Sequence, residues 1–166
     1  MHLGDAAHRG KNVEIKYHRD IFEKFFPRGK AMDGHTVEKL LVVGNHELYG
    51  DVAGGPGAWA PNIWKDPEER KKHVLCSDLP KQWEAVWGEK YEEVWHKEVK
   101  GYHFFGRHWS TKEQTLADFI NGKAAECSLK GDKPFFIMSH TRNHFRCNQA
   151  LRAYPNAIAF FGHWHQ

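Results

Sequence analysis

Four short apolar runs punctuate an otherwise polar chain: Met1–Leu3, Leu40–Val43, Phe135–Met138 and Ala157–Phe161. Each is too short for a helix and shows no alternation with polar residues. That is the pattern of strands covered on both faces, as in α/β sheets. The first run reads as the tail of a strand. Helical patterns lie between them. Ser110 with Glu113 three positions on has the form of a capping box, and Leu116, Phe119 and Ile120 then supply a stripe at helical spacing. Gly131 and Pro134 are expected to close that helix. Ile21–Phe26 reads as a short helix stopped by Pro27, Asn143–Ala153 as another ended by Pro155, and Pro67–His73 as a charged surface helix. Trp87, Tyr91 and Trp95 recur at helical spacing. Val99-Lys-Gly-Tyr102 nevertheless has turn chemistry, so a hairpin over Tyr91–Phe105 is expected, with a helix before Gly88.

Every apolar run stops at a polar cluster. Leu3 leads to Gly4-Asp5, Val43 to Gly44-Asn45-His46-Glu47, Met138 to Ser139-His140, and Phe161 to Gly162-His163-Trp164-His165. In open α/β sheets ligands bind beyond the carboxyl ends of the strands. These ends are therefore expected to converge on a single site. Singly the clusters say little: Gly-Asp is common in turns, and Glu47 could simply sit near a helix N-terminus. In extended chain, however, His163 and His165 fall on one side, a spacing that suits chelation. An oxygen-plus-imidazole donor set suits Mn, Fe, Co, Ni or Zn. A carboxylate can bridge two ions, and such a pair holds a hydroxide for in-line attack on phosphorus.

Composition narrows the alternatives. The chain has 166 residues, 40% hydrophobic and 27% charged, with 7 Trp, 5 Tyr and 11 Phe to build a core. A single domain over 1–166 is expected. No run approaches the length of a membrane span, and Met1–Gly10 lacks a signal-peptide pattern. The net charge of +3 does not indicate nucleic acid. The 3 cysteines form no C-x-x-C pair. Gly54–Gly57 lacks the Gly-Lys-Ser/Thr ending of a phosphate-binding loop. Histidine is the outlier, with 13 copies.

The ordered clusters resemble the calcineurin-like metallophosphoesterase family. Its signature runs Asp-x-His, Gly-Asp, Gly-Asn-His-Asp/Glu, a lone His after a strand, and Gly-His-x-His. The last four blocks match Gly4-Asp5, Gly44–Glu47, His140 and Gly162–His165. The resemblance implies a two-sheet β-sandwich flanked by helices, and metal-dependent hydrolysis of a phosphoester. It implies Asp5 as the bridge between two metals (Mn, Fe, Zn, Ni or Co). Asn45, His140 and His163 would complete one shell and His165 would serve the other. His46 would stabilise charge or protonate the leaving oxygen, and Glu47 would orient His46. The Asp-x-His block would lie one strand upstream of Gly4. A chain incomplete at both ends is therefore expected, holding one ion well and the second weakly, with two-metal catalysis largely lost. The alternative is a catalytically inactive member that binds a metal or a phosphorylated ligand. Arg142, with His144 and Arg146, could meet a phosphate or form the solvated face of the following helix. Trp59, Trp64, His108 and Trp109 could form a rim around a leaving group or simply pack. Monoester against diester, compartment and oligomeric state are left open.

Overall fold

A computed structural model describes residues 1–6, 12–49, 79–109, 111–141 and 151–163. Ser110, Arg142, His144, Arg146, His165, Trp59, Trp64, Gly54–Gly57, the helix expected over Pro67–His73 and most of Asn143–Ala153 lie outside these residues. The chain forms two compact units. One comprises Met1–Gly4, Leu40–Gly44 and Glu92–Gln166, the other Asp5–Lys39 and Asn45–Tyr91. The chain thus passes from the first unit to the second at Gly4–Asp5 and again at Gly44–Asn45.

The first unit holds two sheets, and all four predicted apolar runs are strands in them. β1 (His2–Leu3) pairs in parallel with β2 (Leu41–Val42). The second sheet has the order β3 (Val94–Val99), β4 (Tyr102–Arg107), β5 (Phe135–Ser139), β6 (Ala157–Phe161). β3 and β4 form the expected hairpin, with Val99 opposite Tyr102. Lys100 and Gly101 both have positive φ, as a two-residue turn matched to strand twist requires. β4, β5 and β6 run parallel. Their carboxyl ends, where ligand-binding residues are expected, therefore lie at one edge.

Strand alternation divides the side chains of this sheet. On one face Phe105, Phe135 and Ile137 pack with Leu116, Ala117 and Ile120 of a helix, α4 (Glu113–Lys123), and with Cys127, Leu129 and Tyr154. On the other, Trp95 and Met138 pack with Val42 of β2, and Leu3, Leu40 and Phe104 join them. An aromatic row continues this second face: Phe136 stacks on Phe104 and Phe160 at ring distances of 4.8 and 5.9 Å. Coverage on both faces is the reason β5 carries an unbroken apolar run, while β6, at the end of the sheet, leaves Ile158 exposed.

The helix boundaries differ from the sequence expectation. α4 has Lys112 as its N-cap residue, with no side-chain cap bond, while Ser110 of the expected capping box lies outside the described residues. It ends at Lys123, well before Gly131. The chain then turns back through bonds such as Cys127 N–H to the Lys123 carbonyl (2.9 Å). Leu129 and Cys127 are drawn into the core by this turn, so burial overrides the helical pattern there.

In the second unit, α1 (Asn12–Phe25) is longer than the predicted Ile21–Phe26, and Pro27 opens a single 3₁₀ turn after it. α2 (Asn45–Tyr49) is one turn and a half long. α3 (Leu79–Trp87) is the helix expected before Gly88. Its last carbonyls are held by Lys39, whose Nζ donates to the Trp87 oxygen at 2.5 Å. A cation there also suits the negative end of the helix dipole. Among the described residues no helix is long and apolar enough to cross a membrane.

Candidate metal centre

In the first unit, His140 follows β5 and His163 follows β6. Parallel pairing of these strands brings the two imidazoles together, with His140 Nε2 and His163 Nδ1 3.0 Å apart. His140 is buried and cannot choose its orientation freely. Its Nδ1 lies 2.6 Å from the Leu3 carbonyl oxygen at the end of β1. An oxygen there accepts only, so Nδ1 carries the proton and Nε2 keeps its lone pair. This is the arrangement by which metal-ligating histidines are oriented. A 3.0 Å gap between the facing nitrogens matches two ligands at about 90° on an ion with bonds near 2.1 Å. The pair therefore fits a metal. His163 has φ 69°, a left-handed conformation uncommon outside glycine and found at functional sites.

Two glycines make room for His140. A Cβ at Gly4 (φ 94°) would overlap His140 Nδ1 and come within 2.7 Å of Gly44 Cα. A Cβ at Gly162 would sit 2.6 Å from the Leu3 oxygen and 3.3 Å from His140 Nδ1. The glycines that open the Gly-Asp and Gly-His blocks are thus spacers around one imidazole.

In the second unit, Asp5, His46 and Glu47 form a reciprocal pair of bonds. The Asp5 carboxylate accepts the His46 backbone N–H at 3.1 Å, and the Asp5 N–H donates to Glu47 Oε2 at 2.8 Å. His46 lies in the first turn of α2, where backbone N–H groups lack helical partners and a carboxylate is favoured. Asp5 has φ 58°, again left-handed. Glu47 is fully buried, so its carboxylate acts at least in part through the backbone of Asp5. Asn45 begins α2.

Trp109, expected as a rim or packing residue, and Arg107, which the sequence patterns did not single out, complete the first unit's edge. The Trp109 ring lies 5.5 Å from that of His140 and 5.1 Å from that of His163. Arg107, at the end of β4, is buried. Its guanidinium donates to the Thr111 carbonyl (2.7 Å), Ser139 Oγ (3.1 Å) and Thr141 Oγ1 (3.3 Å), clamping the residues on either side of His140. Its sequence signal was a cation at an inward position of a strand whose other inward residues are aromatic.

His108 is no rim residue. It is buried, and its Nδ1 accepts the Val43 N–H at 2.9 Å, while the Trp109 N–H donates to the Val43 oxygen at 3.0 Å. Burial pushes its imidazole down to about 3 from the ordinary 6.5. The folded state thus keeps His108 neutral where the unfolded chain takes up a proton. That contribution to stability is complete above pH 6.5 and is lost as pH falls towards 3. The loss is about 1.4 kcal/mol per pH unit. Chemical denaturation at pH 6.5 and 5 should show a fall in stability that is smaller by roughly 2 kcal/mol in His108→Asn. An equal fall in both proteins would refute this.

The calcineurin-like phosphoesterase profile matches residues 1–166, and the chain belongs to that family. No curated protein and no solved structure is matched. Membership points to metal-dependent phosphoester hydrolysis as the class of chemistry, with divalent ions as cofactors and a phosphoester as substrate.

Proposed function

We propose that the chain hydrolyses a phosphoester with metal ions held by Asp5, Asn45, His140, His163 and His165. The observation that carries this reading is the facing pair His140 Nε2 and His163 Nδ1, with His140 locked by the Leu3 carbonyl. Asp5 is joined by one peptide bond to Gly4, which packs against His140, and on this reading it bridges the ions. When bound there, such ions would supply Lewis acidity and lower the pKa of a water for attack on phosphorus. Asn45, His140 and His163 serve one ion with Asp5. His165 serves the second with Asp5 alone among the residues assigned, so the second is held more weakly.

His46 stabilises charge at the phosphoryl group or protonates the leaving oxygen. Its backbone bond to the Asp5 carboxylate supports this, because it ties the two residues in one frame. Glu47 holds that frame by accepting the Asp5 N–H. Arg142 follows Thr141 and meets the phosphate through its guanidinium.

The test is metal removal. The chelated, dialysed chain should lose hydrolysis of p-nitrophenyl phosphate and bis(p-nitrophenyl) phosphate, and added Mn, Fe, Zn, Co or Ni should restore it. The two substrates separate monoesterase from diesterase. Turnover indifferent to complete metal removal would overturn the proposal. Metal binding without turnover would instead favour the non-hydrolytic member of the family.

A further inference from the structure

A second group of metal donors stands apart from the proposed centre. It consists of His96 on β3, His103 on β4 and Cys127 in the turn after α4. None belongs to a block of the phosphoesterase signature. The hairpin register pairs His96 with Phe105 and Glu98 with His103. The two histidines are therefore diagonal neighbours on the face that α4 covers. His96 Nε2 and His103 Nδ1 are 3.0 Å apart, and Cys127 Sγ is 3.8 Å from His96 Nε2. The donor atoms all lie within 4.8 Å of one another.

From these distances we propose that His96, His103 and Cys127 form a binding site for a zinc-class divalent ion. A tetrahedral ion with Zn–N near 2.05 Å and Zn–S near 2.3 Å needs donor separations of about 3.3 Å (N to N) and 3.6 Å (N to S). The observed 3.0 and 3.8 Å lie close to these, so adjustments of a few tenths of an ångström would seat it. Thiolate and imidazole donors select zinc or cobalt over magnesium or calcium. Two of the donors are held in place. The His96 ring stacks on Phe105 at 4.7 Å and 22°, and Cys127 is buried with its N–H on the Lys123 carbonyl. Glu98, on β3 opposite His103, and Glu126, next to Cys127 and bonded by Lys123 Nζ, offer an oxygen for the fourth position, as does water. An ion here would cross-link the β3–β4 hairpin to the turn after α4. His103 lies four residues before the end of β4, about 13 Å along the strand from the edge where His140 and His163 emerge.

The thiol separates this site spectroscopically from the proposed catalytic centre, which has no sulfur ligand. The probe is Co²⁺, titrated into the full chain carrying Cys76→Ser and Cys147→Ser, so that Cys127 is the one remaining thiol. A thiolate-to-cobalt charge-transfer band should appear and saturate. In the same background His103→Ala should weaken cobalt binding at this band by roughly 10–100-fold. His163→Ala should leave the band intact. His103→Gln, with the fold checked by circular dichroism, serves if the Ala variant does not fold. Absence of the band, an unchanged affinity on His103 replacement, or loss of the band in His163→Ala would each overturn the assignment.

Discussion

His163→Ala should lower kcat/KM for phosphoester hydrolysis by roughly 100-fold or more and weaken metal binding in parallel. The ring nitrogen of His163 stands 3.0 Å from the one His140 nitrogen that is free of the Leu3 carbonyl, so its loss removes half of the imidazole pair. Calorimetric titration with Mn²⁺ and steady-state kinetics on the same preparation read both effects. The backbone complicates a single variant, because His163 has a positive φ of 69° that alanine tolerates poorly. His163→Gly removes the imidazole while relieving that strain. Equal losses in the two variants assign the effect to the ligand. Recovery in the glycine variant would assign it to the backbone and defeat the prediction.

Gly4→Ala should destabilise the fold by roughly 2–4 kcal/mol and weaken metal binding as well. Part of the cost is the φ of 94°, and part is the overlap of the new Cβ with His140 Nδ1 and with Gly44, 2.7 Å away. Relieving the overlap with His140 moves its ring, which breaks its bond to the Leu3 oxygen and turns Nε2 away from His163, and the clash with the Gly44 backbone persists. Gly34→Ala isolates the backbone part: Gly34 has φ 82°, but a Cβ there meets nothing within 4 Å. It should cost about 1 kcal/mol and leave metal affinity unchanged. Urea midpoints and metal titrations of both variants check this. If Gly4→Ala proved no worse than Gly34→Ala, the packing role of Gly4 would be wrong.

Much of the architecture was legible because it follows from local patterns. Apolar runs without alternation marked strands covered on both faces; Phe135–Met138 is such a strand, whereas Ala157–Phe161 is a strand at the end of its sheet that leaves Ile158 exposed. Lys100-Gly101 marked a hairpin because its backbone must adopt positive φ. Helix ends were less legible. α4 starts at Glu113, the last residue of the expected capping box, with Lys112 as its N-cap residue. Gly131 looked like its stop, yet burial of Cys127 and Leu129 ends it at Lys123. At that end local preference, worth a kilocalorie or less, met a packing demand worth more.

The sequence by itself determined the order of strands and polar blocks, and hence the family and the residues that emerge at strand ends. Periodicity suffices for the strands and their ends, since it acts through neighbours in the chain; the family comes from the resemblance carried by the ordered motif blocks. Only the tertiary structure decided what those residues do to one another. His140 takes its orientation from Leu3, 137 positions away, and the glycines of two motif blocks are small because that same ring lies against them. The Arg107 clamp and the His96, His103 and Cys127 cluster arise in the same way. They depend on which strands pair and in what register, and that is settled by burial over the whole sheet.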